Sequence, residues 1–536
     1  MMTRAMICAP QPEAVEAGAR ILMAGGNAID AAIACAFVQG VVDPLMCGIA
    51  GIGSCQVYIP GGEHTFTDFH GRVPAAARPD MWEKLIQGET RDGFGFVVAG
   101  AVNDVGYQSI TTPGALAGYA EAHRRFGKLP WREVMQAAIA QATNGFPVSP
   151  DVYHYWTSID EPGRVSILDR LSYSAPSRKL YLRDDGSPKT IGTNVRNPDM
   201  ARTLSRIAEA GPDIFYRGAI GEAIAADMDA NGGLMTLEDL RNYRTTPAEP
   251  LRGTYRGYDI CTNQPPGGGI MVIEMLNILE HFDLAGMGHN SPDYIRVVSE
   301  AMKFATADKD AEVGDPQFVD VPVGRLTGKI YANDKADLIR SGRRARVSRL
   351  GAAESPGTTH ISVIDAEGRI VSMTHSLGMM SGVITEGLGF MYNGCMGVFD
   401  PRPGNTGSIA PGKARFSSIC PTIVFKKGKP MLILGAPGGT HIAMGVLQVI
   451  LNVLDFDMPV LDAVLAPRFC ATSDTIDITA RIPTYVSDKL VSAGYTVWRS
   501  PMSYDIAGVH AIRIADDGTL SGAADPAYGG GMALAV

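Results

Sequence analysis

A strand-like run of apolar and β-branched residues stands around residue 360, behind a small Gly357 and the hydroxyl residue Thr358. Residues 359–365 are rich in β-branched and apolar side chains, and 369–374 repeat the pattern after Ala366-Glu367-Gly368, so a strand, a turn and a returning strand are predicted. Ile361 and Val363 fall on one face and Ile364 on the other, which suits a sheet covered on both sides. Folding the hairpin about Ala366 and Glu367 brings residue 375, within one, opposite Thr358. Thr374 and Ser376 are therefore both expected beside Thr358, so that one hydroxyl nucleophile and one or two orienting hydroxyls share a patch of sheet.

Elsewhere the period changes. Ala14, Ala17, Gly18, Ile21 and Leu22 are spaced as one face of a helix over 11–25, which Gly25-Gly26 ends. Asn27 can cap a second helix over 28–41, packed through alanines. Short strands are predicted at 54–58 and 65–69, a largely helical region over 197–243, one strand starting at 253–258, and helices over 270–339. Residues 340–356 are polar and Arg-rich and read as a surface linker. A strand pair is expected at 419–425 and 431–435, then Pro437-Gly438-Gly439 and an apolar helix over 440–454. The glycines of 48–53 lack the Gly-Lys-Ser/Thr of a phosphate loop and are assigned to tight packing.

Composition narrows the function. The 536 residues are 46% hydrophobic and 19% charged, the balance of a globular protein, and the net charge of −9 gives no footprint for nucleic acid. The eight cysteines form no C-x-x-C pair and no zinc spacing, so neither a disulfide framework nor a metal site is expected, and no cofactor. No apolar run is long enough for a membrane span, and the first ten residues lack the apolar core of a signal peptide. A cytoplasmic location is expected.

The phrase Gly357-Thr-Thr-His-Ile-Ser-Val-Ile-Asp365 resembles the processing site of the γ-glutamyltransferase family of N-terminal-nucleophile (Ntn) hydrolases. The 16–34 phrase E-A-G-A-x-I-L-x-x-G-G-N-A-x-D-A-A-x-A is similar to that family's N-terminal signature, and N-G-G-L-x-T-L-E-D-L and G-A-P-G-G also match family phrases. The resemblance implies an α+β fold, a four-layer αββα sandwich of two mainly antiparallel sheets. It implies self-cleavage between Gly357 and Thr358, giving a large subunit 1–357 and a small catalytic subunit 358–536 intertwined as one domain. Thr358 would be the nucleophile, with its new α-amine as base. Such an amine titrates at roughly 7.7–8.0, so a useful fraction is neutral near pH 7. Gly438 and Gly439 would form the oxyanion hole, and Ser417 and Ser418 would bind the substrate's carboxylate.

Departures from the family pattern concern the glutamyl pocket. The family's Thr that contacts the nucleophile falls on Ser376 and its Asn two residues later on Gly378. The residue that helps hold the glutamyl amino group falls on Cys395, the Asp that pairs with that ammonium on Val398, and the carboxylate-clamping Arg on His70, with Arg72 nearby. An ammonium in a closed pocket without its carboxylate partner is penalised by about 2–5 kcal/mol. The leading expectation is therefore a self-processing amidohydrolase cleaving a small amide whose acyl part bears a carboxylate but not necessarily the glutamyl α-ammonium. Oxamate amidohydrolases and glutaryl-type acylases are family relatives of that kind. The rivals are a genuine γ-glutamyltransferase or glutathione hydrolase, and a catalytically silent scaffold of the same fold. The expected partners are a small-molecule amide and the two subunits cut from one precursor, with further assembly of such heterodimers left open and neither nucleic acid nor membrane involved.

Overall fold

Alternation along the central hairpin decides how the layers stack. In the computed structural model, which describes residues 5–90, 95–158, 163–347, 357–527 and 531–536, thirteen strands form two antiparallel sheets. They are β1 (Met6–Ala9), β2 (Ile52–Tyr58), β3 (His64–Asp68), β4 (Thr246–Ala248), β5 (Leu251–Tyr255), β6 (Tyr258–Thr262), β7 (Thr358–Ile364), β8 (Ile370–Ser376), β9 (Thr422–Lys426), β10 (Lys429–Gly435), β11 (His510–Ile514), β12 (Leu520–Ala524) and β13 (Met532–Ala535). The first sheet runs β13-β1-β7-β8-β2-β3-β4 and the second β12-β11-β10-β9-β6-β5.

Odd and even positions of the hairpin face different layers. Ile361, Val363, Val371 and Met373 join the core formed with α1 (Pro12–Met23) and α2 (Ala28–Val42). Ile364 and Ile370 turn inward and meet Ile423, Phe425, Ile433 and Ile512 of the second sheet. The outer face of that second sheet, with Val424, Leu432 and Leu434, is covered by α3 (Gly269–Leu279), α4 (Pro292–Glu312) and α5 (Ile442–Leu454). The order is helix, sheet, sheet, helix, as expected from the resemblance.

The local signals explain the main elements. The Asn27 side chain accepts the N–H groups of Ile29 and Asp30, and the Asp30 carboxylate takes the N–H of Asn27, a reciprocal cap that starts α2. The glycines near residue 50 serve close packing. A Cβ at Gly51 would stand 2.4 Å from the Ser376 carbonyl oxygen, and one at Gly53 2.5 Å from that of Thr374. The single strand expected from 253–258 is instead a hairpin, β5–β6. Arg256 and Gly257 both take positive φ, which joins two strands tightly where an unbroken extended run was read. Of the surface linker expected over 340–356, residues 348–356 lie outside the described residues; in the described part Arg340 ends a helix, and Ala345 and Val347 are buried rather than on the surface, with the Ala345 N–H bonded to Glu300. No described helix is long and apolar enough to cross a membrane.

Candidate active site

Thr358 opens β7 directly opposite Ser376, the last residue of β8. Their hydroxyl oxygens are 2.9 Å apart. Ser376 Oγ also bonds the carbonyl oxygen of Gly357 and receives the Gly378 N–H at 2.6 Å. A serine has one proton to donate. Given to the Gly357 carbonyl, it leaves Oγ free to accept both the Gly378 amide and the Thr358 hydroxyl. The peptide carbonyl before Thr358 is thereby polarised while the Thr358 hydroxyl is oriented. No larger residue fits at 357, because a Cβ there would stand 2.0 Å from the Gly378 carbonyl oxygen.

Thr374 lies two rungs further from this group. It pairs with His360, and its hydroxyl is 2.8 Å from His360 Nδ1 rather than beside Thr358. The strand's two-residue period keeps Thr374 on the inner face but shifts it along the strand. His360 also meets Ser362, and burial lowers its pKa well below the ordinary histidine value, so it is a neutral link in the wall.

The glycine turn sits at the same end of the sandwich. Gly435 at the end of β10 packs on the His360 ring, since a Cβ there would stand 2.3 Å from Cε1. Two residues later Pro437 O accepts the Gly508 N–H at 3.2 Å. Gly438 (φ 129°) and Gly439 (φ 51°) both adopt conformations that favour glycine and open the short turn leading into α5. Thr440 follows, 8% exposed, and its hydroxyl has no hydrogen-bond partner among the described residues. An apolar helix preceded by two such glycines can offer N–H groups to a developing negative charge.

On the β8 flank of Thr358, the positions that depart from the family come together. Gly378 has φ 68°, and a Cβ there would meet Cys395 Sγ at 2.6 Å and Arg415 Nη2 at 3.0 Å. The volume of the absent side chain is thus filled by a thiol and a guanidinium. Burial raises the Cys395 pKa, and the Arg415 charge partly offsets the rise. Arg415, 7% exposed, is the residue that sequence reasoning missed. It stands two positions before Ser417, and only the room left by Gly378 gives it significance.

His70 and the serine pair lie further along this side. Extending the β2–β3 pairing past Ser54–Asp68 through the mutual Gly53–Phe69 bonds sets His70 level with Ile52, and Ile52 pairs with Ser376. His70 is fully buried. Its Nδ1 bonds Asp68, and its Nε2 has no partner among the described residues. Arg72, by contrast, is committed elsewhere: its Nη1 bonds Asp315 at 2.9 Å and its Nη2 bonds Thr246 at 3.0 Å. That pairing fits it to holding the loop rather than a substrate carboxylate. Ser417 and Ser418 are buried, with the Ser418 backbone against Gly268. Asn263 ties this segment to the first sheet, bonding Ile419 O at 2.7 Å and Ser54 Oγ at 3.3 Å. Val398 opens instead on a separate cavity of about 600 Å³ whose lining excludes Thr358.

A four-layer αββα sandwich with a hydroxyl residue heading a central inner strand is the architecture of an Ntn hydrolase. The profile of the gamma-glutamyltranspeptidase family matches residues 14–535, and the chain belongs to that family. It is 39% identical over 531 residues to the acylase ACY 1 proenzyme of Pseudomonas sp. (strain SE83), covering 97% of this chain and 92% of that protein. It is 33% identical to the glutathione hydrolase proenzyme of Escherichia coli (strain K12), covering 97% and 90%. The crystal structure of cephalosporin acylase from Bacillus halodurans superposes with a TM-score of 0.89 at 28% identity, covering all of this chain and 96% of that one. The chain is accordingly an enzyme of the Ntn hydrolase class and not a silent scaffold.

Proposed function

We propose that the chain is the precursor of an N-terminal-threonine amidohydrolase that cuts itself between Gly357 and Thr358. Thr358 Oγ1 attacks the Gly357 carbonyl carbon, the peptide C–N bond breaks as an ester forms, and the nitrogen becomes the Thr358 α-amine. Water then hydrolyses the ester, leaving 1–357 and 358–536 as a heterodimer. The observation that carries this reading is the Ser376 hydroxyl, bonded both to the Gly357 carbonyl and to the Thr358 hydroxyl. The acylase and glutathione hydrolase relatives are likewise proenzymes.

In the mature enzyme Thr358 Oγ1 attacks a substrate amide with its α-amine as base. The leaving amine departs with a proton, and water resolves the acyl-enzyme to an acid. Gly438 and Gly439 supply the oxyanion site. The acyl group carries a carboxylate and lacks the glutamyl ammonium. Arg415 beside Gly378 and Cys395, with His70 and the Ser417-Ser418 pair, favours an anion. The higher identity to acylase proenzymes than to the Escherichia coli glutathione hydrolase supports an acylase-type reaction. The cysteines are buried and none is joined in a disulfide among the described residues, which fits a reducing, cytoplasmic compartment.

Intact mass of the purified protein and of Thr358→Ala tests the first step. Two fragments split before Thr358, absent in the variant, are expected; a wild-type chain that stays whole would refute it. Release of nitroaniline from glutaryl and γ-glutamyl p-nitroanilides tests the second. A faster glutaryl reaction is expected, and the reverse order would make the chain a glutathione-hydrolase-type enzyme.

A further inference from the structure

The flank of Thr358 opposite Arg415 holds a cavity of about 330 Å³, and Thr358 itself forms part of its wall. Its position follows from strand order. β7 is paired on one edge with β8, which carries Ser376, and on the other with β1, whose continuation, Pro10 and Gln11, lines the cavity. An amide lying across Thr358 with its acyl part toward Ser376 and Arg415 therefore directs its amine part into this space. The volume suits a small amine.

Three carboxylates stand in a largely apolar wall. Asp43, Asp151 and Asp505 line the space together with His154, Tyr155 and Tyr504, and no lysine or arginine is among the described lining residues. Asp43 is 6% exposed. Its Oδ2 accepts the Gln11 side chain at 2.7 Å, and its Oδ1 has no hydrogen-bond partner among the described residues. Burial pushes its carboxyl up to about 7, the Gln11 bond partly opposes this, and the neighbouring Asp151 adds to the rise. Asp505 is fixed by Ser500 Oγ at 2.5 Å and by the Ile506 N–H at 3.0 Å. Ile506 and Ala507 hold left-handed backbone, with φ 66° and 56°, and their carbonyls accept the buried Arg468 side chain. The Asp505 wall is thus fixed beside Gly508, whose N–H bonds Pro437 ahead of the glycine turn.

Three carboxylates around one small space repel one another, and a positive charge placed among them relieves that repulsion. We propose that this cavity is the amine-side subsite of the enzyme and that it selects amines carrying a positive charge. The inference rests on the reading of Thr358 as nucleophile. The two flanks then carry opposite charge, a guanidinium for the acyl part and carboxylates for the amine part. That polarity fixes the direction in which a substrate lies across the nucleophile, and it disfavours a leaving amine that bears a carboxylate of its own.

The test uses the processed protein at pH 8, with benzylamine, benzyl alcohol and benzoate as calorimetric probes. Benzylamine is expected to bind at least tenfold more tightly than either isosteric probe. The Asp151→Asn/Asp505→Asn double variant, checked for an unchanged melting temperature, is expected to lose that preference. In parallel, one acyl group is offered as amides of 4-(aminomethyl)aniline and of 4-aminobenzoate, and kcat/KM is expected to favour the former by a similar factor in the wild type only. Equal binding of the three probes, or a preference that survives both substitutions, overturns the inference. Turnover of anilides without charge preference would do so while leaving the proposed reaction standing. Charge-selective binding without turnover of any amide would sink the proposed reaction and reduce the cavity to a cation site with no amine-side role.

Discussion

A single oxygen, Ser376 Oγ, touches the Gly357 carbonyl, the Thr358 hydroxyl and the Gly378 amide. Removing one oriented donor from such a site costs roughly 10²–10³ in rate. Ser376→Ala is therefore expected to process more slowly by about that factor, and Ser376→Thr, which keeps the hydroxyl, to recover most of the loss. A time course of intact mass measures both; cleavage of the alanine variant at the wild-type rate would remove Ser376 from the mechanism. This contact was legible from the sequence, because counting residues round the turn places 375, within one, opposite Thr358. Thr374 was misjudged by the same counting. Two hydroxyls two residues apart share a face, but only one of them shares the rung. Arg415 was not legible at all. A lone arginine in a loop gains meaning only when Gly378 and Cys395 are seen to leave it room.

Asp365 shows how elements are locked to one another. Its Oδ1 accepts the Glu367 and Arg369 N–H groups at 3.0 and 2.9 Å, shaping the turn between β7 and β8. Its Oδ2 accepts the Ala28 N–H, at the start of α2, and Arg369 Nη1, both at 3.0 Å. One carboxylate, 3% exposed, thus fastens the catalytic hairpin to the helix packed behind it. Asp365→Ala would leave buried N–H groups without an acceptor and is expected to destabilise the protein by about 2–4 kcal/mol. A shift of the urea midpoint measures this, and a shift equivalent to under about 0.5 kcal/mol would show that water replaces the carboxylate without loss. At this scale the helices and strands followed from period and caps: Asn27 fixed the start of α2, and the hairpin boundaries fell within two residues. The β5–β6 turn was missed because Tyr255-Arg-Gly-Tyr258 reads as unbroken strand unless Arg256 is allowed a positive φ.

The whole molecule is interleaved across the proposed cleavage point. In the first sheet β7 and β8 come from the part after Thr358, yet they lie between β1 and β2 from the part before it. The second sheet repeats this, with β6 from the first part paired to β9 from the second. The stacking of the two sheets could not be read from periodicity, which says only that both faces of the hairpin are covered; it came from the family resemblance. The strand order has a consequence for the mature protein. Separating the fragments would expose both edges of the hairpin, the inner faces of two sheets and the buried Ile423–Ile433 cluster together. After cleavage the fragments are therefore expected to stay associated through gel filtration and high salt, and to part only where denaturant unfolds both. Residues 1–357 and 358–536 expressed separately are expected to give no folded, active enzyme when mixed, because neither part can complete a sheet alone. Recovery of activity from simple mixing would mean that each part holds its own core and that the two merely dock.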